Sequence, residues 1–182
     1  IGYDNKSAIE YYGYNDRFVW AAAVANPGGT EQALDYWAVG RVNFLEGSSA
    51  SLLYYEPNNP SDTSATRMYT LSGNYRKDAL DLKAQYSWDN AGNGTVGDAN
   101  GYTVQGDYLL QKRWLGQVRY DATDNGAAVD SKEAQGTVAL VYAPAQNLRF
   151  TAAYVKELKS STSSATYPAK NDVGSVMVRF MF

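Results

Sequence analysis

The sequence predicts an all-β chain folded as a transmembrane antiparallel β-barrel, on three observations. Candidate strands of about ten residues follow one another along the chain, and this is the length a tilted strand needs to cross a bilayer. The connections between them alternate between short and long. In most strands apolar and polar residues also alternate, which gives one row of side chains for lipid and one for water.

Eleven candidate strands can be assigned, and most of them alternate clearly. They cover 8–14, 18–25, 34–45, 49–56, 66–76, 80–89, 101–110, 114–123, 134–143, 148–156 and 172–182. In strand 80–89, for example, one row is apolar and the other polar. The apolar row is Leu80, Leu82, Ala84, Tyr86 and Trp88, and the polar row is Asp81, Lys83, Gln85, Ser87 and Asp89. The alternation is ambiguous in 18–25 and 49–56, where both rows contain apolar residues.

Connection length separates the two ends of the predicted strands. The tight turns are 15–17, 46–48, 77–79, 111–113 and 144–147. The longer connections, rich in Gly, Ser, Asn and Pro, are 26–33, 57–65, 90–100, 124–133 and 157–171. Membrane barrels have short periplasmic turns and long extracellular loops, whereas a soluble β-sandwich shows no such asymmetry. Loop length therefore favours a membrane barrel.

Composition excludes several classes of function. The chain has no histidine and no cysteine, so it lacks the residues for a Ser-His-Asp triad, a Cys-His pair or a histidine-based zinc site. We expect neither an enzyme nor a bound metal or cofactor. The net charge of −3 and the absence of a basic stripe argue against nucleic acid as a partner. The longest apolar run, 18–25, is too short for a transmembrane helix.

The last strand gives the sharpest motif. Val176, Val178, Phe180 and Phe182 alternate with Ser175, Met177, Arg179 and Met181. This pattern resembles the closing strand of Gram-negative outer-membrane barrels, which typically end in Phe after alternating apolar residues. The resemblance implies an outer-membrane location with the C-terminus in the periplasm.

The odd strand count bears on how much of a barrel the chain supplies. Bacterial single-chain barrels have even strand numbers, and an odd number leaves unpaired edges in hydrocarbon. We therefore expect residues 1–182 to be one domain that is incomplete at its N-terminus, lacking one strand of a twelve-stranded barrel or five of a sixteen-stranded one. The alternative is a complete ten-stranded barrel, if 8–14 or 49–56 is not a strand of its own.

Two further segments, Ser7–Phe18 and Val138–Tyr154, resemble the strand, tight turn and returning strand of general diffusion porins. The resemblance is diffuse but covers the whole chain, and it favours sixteen strands. It implies a water-filled channel for passive diffusion of small hydrophilic solutes and ions. The implied partners are the lipid bilayer and lipopolysaccharide, and the implied assembly is a homotrimer.

Charged residues on the polar rows are the candidate pore lining. They are Arg41, Arg76, Asp81, Lys83, Asp107, Arg119, Asp121, Arg149 and Arg179. The six basic residues predict a ladder that selects ions by sign, and the acids, with Glu10, partly cancel it. The alternative is that Arg76, Arg149 and Arg179 are only solvated near the periplasmic interface. Aromatic residues near strand ends are the candidate membrane-interface girdles. They are Phe44, Trp88, Tyr102, Trp114, Phe150 and Phe182.

Three alternatives are compatible with the same sequence. One is a complete small barrel plugged by its own side chains and acting as an adhesin or structural surface protein. Bulky residues on the polar rows would fill such a barrel: Tyr12, Tyr14, Trp37, Leu53, Tyr55, Leu109 and Leu115. Another is a barrel that serves as a sheath around a partner protein. A soluble β-sandwich is the third, and it would bury the charged rows without partners.

Overall fold

The chain forms one antiparallel sheet. The computed structural model describes residues 8–25, 34–56, 66–91, 98–124, 126, 132–159 and 172–180. They contain eleven strands: β1 (Ala8–Tyr14), β2 (Phe18–Ala25), β3 (Asp35–Leu45), β4 (Ser48–Glu56), β5 (Thr66–Lys77), β6 (Leu80–Ala91), β7 (Ala99–Gln111), β8 (Trp114–Asp124), β9 (Lys132–Ala145), β10 (Leu148–Lys159) and β11 (Val173–Phe180). The predicted all-β class and the eleven predicted strands are confirmed, with ends that differ by at most three residues.

Each strand pairs with the next one along the chain, so the sheet is an eleven-stranded meander. Strands β1 and β11 are its edges, each paired with one neighbour in the described part of the chain. The sheet is therefore open as described.

The tight turns hold the hairpins in register. The Asn15 side chain accepts hydrogen bonds from the backbone N–H groups of Arg17 (2.9 Å) and Phe18 (2.8 Å), the turn that asparagine favours. Gly47 has φ +70°, a conformation that glycine adopts without a steric penalty. Asp78 has φ 51° in the next turn. These turns fix which residues face each other across the hairpins, and hence which share a face.

The sheet is a single layer with almost no apolar core. The buried apolar residues among those described are Ala23, Ala25, Ala139 and Val141, whereas large apolar side chains are exposed on nearly every strand. A water-soluble sheet would bury one face against another layer. Within the described residues, no helix is long and apolar enough to cross a membrane.

Candidate functional site: the polar face of the sheet

The register brings the polar rows of all eleven strands onto one side of the sheet, here called the polar face. Asp81, for example, is paired with Arg76 on β5 and with Asp107 on β7. The same register continues to both edges of the sheet. All nine residues predicted to line a pore lie on this face: Arg41, Arg76, Asp81, Lys83, Asp107, Arg119, Asp121, Arg149 and Arg179.

Asp107 is the centre of the largest polar cluster on this face. Its carboxylate is buried and accepts a hydrogen bond from Lys83 Nζ at 2.9 Å. The side-chain amide of Gln105 donates to both carboxylate oxygens at 3.0 and 2.9 Å, and that of Gln117 donates at 2.9 Å. Three donors from β6, β7 and β8 therefore stabilise the charge of one buried carboxylate.

Two further acids of the polar face are also paired with cations. Asp81 lies 2.7 Å from Arg76 Nη2 and 3.6 Å from Lys83 Nζ. Asp121 lies 2.7 Å from Arg119 Nη2 and accepts a hydrogen bond from Thr103 at 2.7 Å. Of the acids expected to cancel part of the basic ladder, Asp81, Asp107 and Asp121 contact its cations directly on the polar face, whereas Glu10 forms none of the described ion pairs.

Three of the six predicted ladder cations have no carboxylate partner among the described residues. Arg41 donates to the side chain of Asn43 at 3.0 Å, and Arg149 and Arg179 form none of the described ion pairs. Positive charge that is not neutralised by contact is therefore concentrated at Arg41 and at the Arg149–Arg179 position.

Hydroxyl and amide side chains fill the centre of the polar face. Ser51 and Ser72 lie 2.8 Å apart, and the Ser49 hydroxyl donates to Asn74 at 2.6 Å. These residues line a groove of about 570 Å³ that also includes Arg41, Lys83 and Arg119. A second groove, of about 630 Å³, lies at the tight-turn end of the face and extends from Arg76 to Arg179. The polar face can therefore hold water and small solutes beside its charges.

The opposite side, here called the apolar face, carries exposed aliphatic side chains at mid-strand. Val104, Val118 and Val138 lie here on three adjacent strands, with 51%, 61% and 58% of their surface exposed. An apolar patch continuous over many strands exceeds what soluble monomers expose. This face therefore requires an apolar covering.

Aromatic side chains form a cluster at each end of the apolar face. At the long-loop end Tyr69 contacts Tyr54 and stacks on Trp88, both at 5.1 Å between ring centroids. At the tight-turn end Tyr142 stacks on Trp114 at 4.5 Å. Of the predicted interface residues, Trp88 and Tyr102 lie at the long-loop end, and Phe44, Trp114 and Phe150 at the tight-turn end. Phe182 lies outside the described residues.

Sequence reasoning did not single out the amide residues that hold the buried acid. Gln105 and Gln117 were visible only as polar positions on alternating rows, and no local signal relates them to Asp107. The cross-strand register supplies that relation, because it places Gln117 directly opposite Asp107.

Replacing Asp107 with alanine is expected to lower the free energy of unfolding by about 1–3 kcal/mol. The variant removes the acceptor for Lys83, Gln105 and Gln117. The measurement is urea unfolding of protein folded in detergent micelles. Asp98→Ala is the matched control, because Asp98 is an exposed aspartate just before β7. Equal unfolding midpoints for both variants would contradict a structural role for the cluster.

No protein-family model matches the sequence, and no curated protein matches it significantly. A functional conclusion therefore depends on the two faces of the sheet. One is charged and hydrogen-bonded, and the other is apolar and bordered by aromatic residues.

Proposed function

We propose that the chain forms the wall of an outer-membrane β-barrel, and that it works as a porin through which small hydrophilic solutes and ions diffuse passively. The observation that carries this proposal is the difference between the faces of a single-layer sheet. Lipid is the covering that suits the apolar face, and a water-filled lumen is the environment that suits the charged one.

Strand length is consistent with a membrane-spanning role. Strands β5 to β10 have 11 to 14 residues, and a tilted strand needs about 9–11 residues to cross a bilayer. In such a barrel the aromatic clusters at the two ends of the apolar face would lie at the two membrane–water interfaces. The tight turns would then lie in the periplasm, and the long connections outside the cell.

The lumen of this channel would select solutes by size and charge and would catalyse no reaction. Asp81, Asp107 and Asp121 are each bound to a cation, so three of the six basic residues of the polar face are neutralised by direct contact. The cations without a carboxylate partner share this face with Glu10 and Asp89, which form none of the described ion pairs, so any ion preference would be modest. From the resemblance to general diffusion porins, we also propose that the chain is part of a larger barrel of sixteen strands. Three such barrels would associate into a homotrimer.

A plugged barrel is the second candidate, and one group of residues favours it. Trp37, Tyr55 and Met68 follow one another in register across β3, β4 and β5 on the polar face. Tyr55 also donates a hydrogen bond to Asp35, at 3.2 Å. These bulky side chains would narrow a small lumen near the long-loop end. A blocked lumen would suit an adhesin or structural surface protein, which conducts no solutes.

The experiment that separates the candidates is single-channel conductance of the full-length natural protein in a planar bilayer. Stepwise conductance with a modest ion preference supports the porin. A folded, inserted protein that conducts no ions supports the plugged barrel instead.

In the same experiment Arg41→Ala and Arg119→Ala are each expected to shift the ratio of cation to anion permeability about twofold toward cations. The shift arises because each change removes one positive charge within a few ångströms of the ion path, partly screened by salt. The measurement is the reversal potential under a salt gradient. Lys156→Ala is the matched control, since it removes the same charge from the apolar face. An equal shift in all three variants would contradict a role for the polar face in selectivity.

A further inference from the structure

Arg149 and Arg179 face each other directly across β10 and β11 on the polar face. Both side chains are exposed. Like charges at directly opposed positions destabilise an antiparallel pair, because the two Cβ atoms are only about 4.5–5.5 Å apart. The other polar-face cations at this end, Arg76 and Lys83, are held by aspartates. The side chains of Arg149 and Arg179 form no hydrogen bond or ion pair with any described residue.

The side chains around this pair cannot neutralise it. The pair lies in the 630 Å³ groove, together with the apolar residues Leu115, Val141 and Met177. The neutral hydroxyl residue Thr151 also lines this groove and lies two positions from Arg149 on the same strand.

The acids that line the same groove offer little compensation. Asp81 and Asp107 already bind Arg76 and Lys83. The third acid, Asp78, belongs to the exposed turn between β5 and β6. Two guanidinium groups therefore share a solvent-accessible groove in which the two acids contributed by strands, Asp81 and Asp107, are already paired.

We propose that Arg149 and Arg179 form a binding site for a small oxyanion, with a carboxylate or phosphate group, at the tight-turn end of the polar face. A guanidinium presents parallel N–H donors that match two oxygens of such a group. Two of them on adjacent strands hold one anion from both sides, and the anion removes their mutual repulsion. The inference rests on the proposed function, in which this site lies at the periplasmic end of the channel and favours solutes that carry an acidic group.

Inorganic phosphate and acetate are the probes, each compared with chloride at equal ionic strength. The first measurement is the thermal unfolding midpoint of the full-length protein folded in detergent, since an anion that binds only the folded state raises this midpoint. We expect a rise with phosphate and with acetate that chloride does not give. Arg149→Ala/Arg179→Ala is expected to weaken the apparent affinity on the order of tenfold or more.

Lys112→Ala/Arg113→Ala is the matched control, because it removes the same charge from the exposed turn between β7 and β8 at the same end of the sheet. This variant is expected to keep the response of the wild type. Arg149→Lys/Arg179→Lys keeps the charge but loses the paired donors, so it is expected to bind both probes more weakly than the wild type. A response that is unchanged in the double alanine variant, or lost equally in the turn control, would overturn the site. If the double lysine variant binds the probes as well as the wild type, positive charge alone accounts for the response. This result would also overturn the proposed site.

A second measurement separates this site from the channel itself. In planar bilayers, phosphate is expected to reduce the chloride current of the wild type in a saturable manner, and to do so less in Arg149→Ala/Arg179→Ala. Binding in detergent without any conductance would retain the site and reject the porin. Conductance that phosphate leaves unchanged, together with no response in detergent, would retain the porin and reject the site.

Discussion

Val118→Arg is expected to prevent stable membrane insertion, whereas Gln117→Arg is expected to insert like the wild type. The two positions are adjacent in β8 but lie on opposite faces: Val118 is level with Gly106 and Val138, and Gln117 is level with Asp107 and Ala139. An arginine on the lipid side near the bilayer centre costs about 2–4 kcal/mol. At position 117 the new guanidinium would face the Asp107 carboxylate and water.

The measurement is the fraction of protein that folds into lipid vesicles, followed by resistance to added protease and by the mobility of the unboiled protein on a gel. Gln117→Arg controls for the added charge and bulk in the same strand. Equal folding of the two variants would show that lipid does not cover the apolar face. Improved solubility of Val118→Arg without detergent would show that water or another protein layer covers it instead.

The different outcomes expected for Val118→Arg and Gln117→Arg depend on which residues share a face of the sheet. The sequence could largely predict this assignment. Polar and apolar residues alternate through most strands, and the tight turns fix where each strand reverses. The ends were less predictable. Strand β10 continues to Lys159, beyond the predicted residue 156, and β9 begins at Lys132 rather than 134. Charged residues there interrupt the apolar row, although the backbone pairing continues past them.

Two strands could not be assigned to faces from their own residues. Ala21 and Ala23 in β2, and Leu53 and Tyr55 in β4, are apolar on the row that proves to belong to the polar face. The neighbouring strands decide the assignment: Ala23 is level with Glu10, and Leu53 with Thr70. Small and aromatic residues suit either side of a sheet, so only pairing with a charged or hydroxyl neighbour distinguishes the sides.

The ion pairs of the polar face were likewise only partly predictable from the sequence. The pair Arg76–Asp81 spans a tight turn, and once that turn is located the two residues are necessarily opposite each other. The contact between Lys83 and Asp107 is diagonal across two strands joined by a long connection. The register of β6 against β7 depends on pairing across the whole sheet, so the spacing of residues in the sequence does not reveal this contact. The sequence could therefore name the charged residues of the wall without showing which of them neutralise each other.

The absence of cysteine in the chain allows a direct test of which face meets water. Thr137 and Val138 are adjacent in β9 and point to opposite faces. In the bare sheet Val138 is the more accessible of the two, with 58% of its surface exposed, while Thr137 is half-buried. If lipid covers the apolar face and water fills the lumen, the order of accessibility reverses.

Thr137→Cys in lipid vesicles is therefore expected to react nearly completely with a charged, water-soluble maleimide, and Val138→Cys only at background level. The thiolate that reacts forms in water and is suppressed in hydrocarbon. The cysteine-free parent measures that background, and labelling after unfolding in urea should make the two variants equal. Faster labelling of Val138→Cys would contradict a lipid-covered apolar face. Labelling of neither variant would point to the plugged barrel, and maleimides of increasing size would then measure how wide the path to Thr137 is.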